Sequence, residues 1–147
     1  MSELVEARST RDKIFMAEEA MKNLPAYQIE LKVNHYFAHG FYIRELMVPK
    51  GVVLVGKIHK FKQFHVITKG DISFNDGNEI KRFKAPSNII SEAGSKRIAY
   101  AHEDTVWLMP HKTEDLDLDK IENHFIASSE NEYIKFCEDQ NRQLVLL

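Results

Sequence analysis

Gly51-Val52-Val53-Leu54-Val55-Gly56-Lys57-Ile58-His59-Lys60-Phe61-Lys62-Gln63-Phe64-His65-Val66-Ile67-Thr68-Lys69-Gly70 is the run of sequence that decides the fold. Its apolar residues are mostly β-branched and come in two short bursts, VVLV and FHVIT, set off by glycines. Branching at Cβ favours the pleated strand, and glycines at the ends of such bursts mark turns. The run therefore reads as short strands joined by a tight Lys60–Lys62 turn. Lys57 and His59 stand two apart and share a face of one strand, and Gln63 and His65 share a face of the next. Where that face lines a barrel, four polar side chains point inward together.

The same texture continues on both sides. YQIELKVNHYF from Tyr27, then GFYIRELMV, DISF, EIKRFKA, IAYAH and TVWLMPH bring the total to about eight strands in roughly 85 residues at ordinary strand lengths. Strands so short and so closely spaced leave no room for crossover helices, which predicts antiparallel pairing. The breaks carry turn chemistry, as in Lys69-Gly70-Asp71, Asn75-Asp76-Gly77-Asn78 and Ala85-Pro86-Ser87-Asn88. The expectation is an all-β chain, a single antiparallel β-barrel over 27–112 between two helical segments, 1–26 and 113–147. In the first, Ser9 or Thr10 caps a helix through Arg11–Asn23 with Ile14, Ala17 and Met21 on one face, stopped at Leu24-Pro25. In the second, Thr113 heads a helix with Leu118, Ile121 and Phe125 aligned, Tyr133, Ile134 and Cys137 mark another, and Leu144 to Leu147 form an apolar tail.

Composition removes several classes of function. Among 147 residues, 20 Lys and Arg face 22 Asp and Glu, a net charge of −2, so no basic surplus draws the chain onto nucleic acid. The run HKFKQFH mixes bases with aromatics as single-strand binders do, yet it sits at a tight turn, and nucleic acid is not the expected partner. A lone cysteine, Cys137, forms no intramolecular disulfide. The polar opening MSELVEARSTRDK has no apolar segment of signal length, and no stretch is long enough to span a bilayer, so a cytoplasmic, non-membrane protein is expected. No G-x-S-x-G, P-loop or dinucleotide fingerprint is present.

Gly51, Lys57, His59, Gln63 and Gly70 stand at G-x5-K-x-H-x3-Q-x6-G. This resembles the first cupin motif, G-x5-H-x-H-x3-4-E-x6-G, in every spacing and in one of its three ligands. From Pro86, the second motif G-x5-P-x-G-x2-H-x3-N has a looser echo in which Asn88, Ser91 and Ser95 stand for its Gly, His and Asn. Over roughly residues 30 to 122 the chain is similar to small cupin-like proteins of phages and prophages, through His35–Glu45, Pro49-Lys50-Gly51, Gly56–Lys60, Ala93–Arg97, His102–Trp107 and His111-Lys112-Thr113. The resemblance implies a jelly roll, and a phage-type binding or assembly module without catalysis, within or associated with a virion or in the host cytoplasm. The alternative is a small-molecule enzyme or ligand sensor working from a His59-centred pocket.

The candidate pocket residues are Lys57, His59, Gln63, His65, Arg44, Arg97, Tyr100 and His111. A divalent metal would rest on His59 and His111, and it is disfavoured by Lys57, a cation at a ligand position, and by the weak amide oxygen of Gln63. Lys57 with Arg44 or Arg97 suits a small anionic ligand instead, and Arg97 follows a Gly94-Ser95-Lys96 turn that could present backbone amides to it. His59 is the candidate base of the enzymatic alternative. Tyr100 and Trp107 lie in apolar strands and are expected to pack inside, and His35, facing the same way as Phe37, is read as structural. The terminal helices and the Leu144–Leu147 tail are expected to mediate homodimerisation or docking onto a phage or host protein.

Overall fold

A computed structural model describes residues 2–145, with side chains described over 10–140. Helix α1 (Ser2–Lys22) and a single 3-10 turn (Pro25–Tyr27) lead into ten strands: β1 (Lys32–Ala38), β2 (Phe41–Val48), β3 (Val53–Val55), β4 (Ile58–His59), β5 (Gln63–Lys69), β6 (Asp71–Asp76), β7 (Glu79–Lys84), β8 (Ser87–Ser91), β9 (Ile98–Ala101) and β10 (Thr105–Lys112). Helix α2 (Leu118–Phe125), strand β11 (Ile126–Ala127) and helix α3 (Glu130–Val145) follow. The strands form a five-stranded sheet ordered β1-β2-β10-β5-β8 and a four-stranded sheet ordered β3-β9-β6-β7, with β4 and β11 pairing separately. Every pairing is antiparallel, as the strand spacing predicts. The two sheets make a jelly roll.

Period-two alternation builds the interior. In β10, Thr105, Trp107, Met109 and His111 are buried and the residues between them are not. Tyr42, Leu46 and Val48 are buried on β2, and Gln63, His65 and Ile67 on β5. Across from them Phe74 stacks between Phe83 and Trp107, with ring centroids 4.6 and 5.1 Å away. Between β5 and β6 the chain turns at Gly70 with φ +97°, and a Cβ there would lie 2.3 Å from the Asp104 carbonyl oxygen. Only glycine satisfies both conditions.

Several boundaries differ from expectation. Helix α1 begins at Ser2, upstream of Ser9 and Thr10, and β1 begins at Lys32, because Pro25–Tyr27 coils into a 3-10 turn. Helix α2 is capped by Asp117, whose carboxylate accepts from the amides of Asp119 and Lys120, while Thr113 Oγ1 accepts from the Asp115 amide. The Gly51–Lys60 run divides into β3 and β4 around Gly56, and two strands lie outside the expected set, β8 and β11. The terminal helices are tied to each other and to the barrel. Arg11 forks onto Glu130 at 2.6 and 2.9 Å and donates to the Gly94 carbonyl at 2.8 Å. Buried Lys96 donates to Glu18 and to the Gly56 carbonyl, both at 3.0 Å, and sits over the Phe15 ring. The tail Leu144–Leu147 lies outside the residues whose side chains are described. Among the described residues no helix is long and apolar enough to cross a membrane.

Candidate functional site

At one end of the barrel the inward side chains stop short of filling the space and leave a cavity of about 560 Å³. Its wall comes from inner positions on neighbouring strands, where Arg44 of β2 faces His35 on β1 and Met109 on β10, and Tyr42 faces His111. His59 enters from β4, and Arg97 from the residue before β9. Helix α2 forms the roof, lining the cavity with Leu118, Ile121 and Phe125, the apolar face legible in its sequence. Backbone pairing of Ile126 with His59 holds it down, with the Lys60 amide on the Phe125 carbonyl at 2.9 Å and Lys60 Nζ on the Asn123 carbonyl at 2.7 Å. The Lys57–Glu122 ion pair, 2.5 Å long and half exposed, closes the edge.

The polar groups inside divide into satisfied and unsatisfied. Trp107 Nε1–H donates to His65 Nδ1 at 3.0 Å, which makes Nδ1 an acceptor and leaves the proton on Nε2, 2.9 Å from Ser91 Oγ. Both ring nitrogens of His65 are thus committed. His35 Nδ1 and the Tyr42 hydroxyl lie 2.6 Å apart. By contrast His59 Nδ1, His111 Nδ1 and Arg97 Nε are buried with no hydrogen-bond partner. Arg97 is 5% exposed, stacks over Phe74 at 4.5 Å and donates through Nη1 to the Asn75 carbonyl. Burial, reinforced by His111, Arg97 and Arg44, pushes His59 down to about 4. Burial also pushes His111 down to about 4 and, together with Arg97, His65 to about 3. All three rings are neutral at pH 7.

No family model matches the chain, and no curated protein does. Solved structures similar to it include KdgF from Halomonas sp., with a TM-score of 0.52 at 11% identity over 65% of this chain and 88% of that one. An RmlC-like cupin from Shewanella frigidimarina gives 0.49 at 20% identity over 59% and 79% of the two chains. A cupin-2 domain containing protein from the same organism gives 0.48 at 6% identity over 63% and 90%. The chain has the cupin fold. At these identities the likeness is one of fold, and function is argued from the site.

The cupin motif implies a metal, and the donors present do not fit one. A transition-metal site needs three or more imidazole or carboxylate donors converging at about 2.0–2.2 Å. Of the first-motif positions, Lys57 is paired with Glu122, and the Gln63 amide donates to the Phe64 and Pro110 carbonyls at 2.9 and 3.0 Å. His65 is spent on Trp107 and Ser91. His59 and His111 remain, two neutral donors, and among the described residues no group of three His, Cys, Asp or Glu could hold a metal ion.

Of the expected pocket residues, the cavity brings together Arg44, Lys57, His59, His65, Arg97 and His111. Gln63 is buried beside it, facing inward without lining it. Tyr100 is 43% exposed on the outer face of β9, its ring edge-on to His102, contrary to the expected core position, while Trp107 is buried as expected. Arg97 lies inside the barrel rather than on a displayed turn, because its guanidinium stacks on Phe74. Tyr42, Met109 and His35 are among the contributors that the expected set leaves out. Tyr42 and Met109 could have been found from alternation with Arg44 and His111. His35, taken as structural, reaches the cavity through Tyr42.

Proposed function

We propose that this protein is a non-catalytic, metal-independent cupin binding module whose barrel encloses one small molecule. The observation that carries the reading is a 560 Å³ cavity whose lining includes His59, His111 and Arg97, each with a buried ring or guanidinium nitrogen that has no hydrogen-bond partner. The volume falls within the roughly 300–1,000 Å³ of small-molecule sites. An unsatisfied buried polar group costs about 1–3 kcal/mol, and three such residues gathered at one cavity mark it as a place built for binding rather than for stability. Binding is favoured over general-base catalysis because a ring at about 4 is a weak base at neutral pH. A phage or prophage setting is supported by the sequence likeness over His35–Glu45, Gly56–Lys60, Ala93–Arg97 and His102–Trp107.

The test is titration with N-phenyl-1-naphthylamine, a neutral apolar fluorophore. One saturable site per chain is expected, abolished in Leu54→Trp and Val33→Trp, both of which fill the cavity from its apolar wall. Absence of saturable binding, or binding that survives both substitutions in folded protein, overturns the reading.

A further inference from the structure

We propose that the occupant is a small monocarboxylate with an apolar body, and that Arg44 is the residue that selects the carboxylate. The inference deepens the binding reading above and rests on it. Side chains are described for four arginines. Two of them fork onto acids, Arg11 onto Glu130 and Arg82 onto Asp71 at 2.8 and 2.7 Å. The other two, Arg44 and Arg97, line the cavity, and neither forms an ion pair with an acid among the described residues. Arg82 keeps its acid with half its side chain exposed, whereas Arg97 is 95% shielded and lacks one. An uncompensated guanidinium in a sheltered site is costly, and a bound anion is what compensates it. Arg97 is already spent in part on Phe74 and the Asn75 carbonyl. Arg44 makes no hydrogen bond to another described residue, so its planar fork is free to take a carboxylate through two parallel bonds.

The charge count sets the valence of the ligand. With His59, His65 and His111 neutral, Arg44, Arg97 and Lys57 face Asp119 and Glu122 around the cavity, a surplus of one positive charge. A single carboxylate balances it, and a phosphate dianion would overshoot beneath two roof carboxylates. The remaining lining is largely apolar, aliphatic at Leu31, Leu46, Leu54 and Ile121 and aromatic at Trp107 and Phe125, which calls for an apolar body.

The experiment displaces N-phenyl-1-naphthylamine at pH 8 with two matched pairs, octanoate against octanamide and 4-phenylbutanoate against 4-phenylbutanamide. In at least one pair the acid should bind tenfold or more tighter than its amide. Arg44→Gln should reduce that preference below about threefold without weakening the amide, and Arg44→Lys should restore part of it. Equal binding of acid and amide, failure of both acids to displace the fluorophore, or a preference untouched by Arg44→Gln overturns the proposal while fluorophore binding still supports the cavity. If the fluorophore itself finds no site, the binding reading falls as well.

Discussion

Lowering the pH from 8 to 5.5 should cost the fold about 4 kcal/mol through three histidines alone. Native His59 and His111 titrate at about 4 and His65 at about 3, each pulled down first by burial, against 6.5 for a solvated ring. Below pH 6.5 the unfolded chain therefore binds protons that the native state refuses. Protons then favour unfolding, so stability present above pH 6.5 is lost as pH falls toward 4. At pH 5.5, one unit below the unfolded value, each neutral ring forfeits RT ln 11, about 1.4 kcal/mol. Asp71 and Glu132 are held below the usual carboxylate range, by Arg82 and Ser128 respectively, and titrate in a more acid window. Domains of this size are stable by roughly 5–15 kcal/mol, so the loss should be plain in urea midpoints at the two pH values. Trp107, the single tryptophan and a core residue, is the natural reporter. His59→Gln and His111→Gln, which break no hydrogen bond at Nδ1, should each remove about 1.4 kcal/mol of the pH-dependent loss. A total loss below about 1.5 kcal/mol, or one that neither substitution changes, would refute the neutral-histidine floor.

Two further outcomes follow from particular contacts. Trp107→Phe deletes the donor to His65 Nδ1 and leaves a buried acceptor bare, so stability at pH 8 should drop by about 1–3 kcal/mol, read by circular dichroism; a neutral substitution would mean that His65 finds another donor. The Lys57–Glu122 pair is half exposed, so a double-mutant cycle with Lys57→Ala and Glu122→Ala should yield a coupling of only about 0.2–1 kcal/mol, while stopped-flow dissociation of the bound fluorophore speeds up; unchanged dissociation would remove the pair from any role in holding the roof.

Spacing alone identified the fold because the residues that set it act locally. Gly51, His59 and Gly70 keep their intervals, and the alternation of TVWLMPH emerges as the buried face of β10. Tyr100 shows the limit of such reasoning. In IAYA either face could be the inner one, and the structure turns Ala99 and Ala101 inward because Phe74 and Trp107 already occupy the core behind them. The chemical role of His65 was equally hidden, since Trp107 lies 42 residues away and Ser91 26 residues away. Lys57 could be read as a cation at a ligand position, yet its partner Glu122, 65 residues on, belongs to a helix whose docking no local pattern encodes. The apolar stripe of α2 was visible, and what it covers was not.

The wall and the roof of the cavity are encoded differently. Wall residues are interleaved through several paired strands, each flanked by residues that pack the barrel's own core. The roof is one contiguous run, α2 and β11, attached to the barrel by a two-residue ladder and a few bonds from Lys57 and Lys60. Such a segment can be rewritten, lengthened or exchanged as a cassette while the barrel behind it stays intact. Residues 118–127 are therefore the part of the cavity's lining that can change with the least effect on the barrel, and they lie outside the motifs by which the fold is recognised.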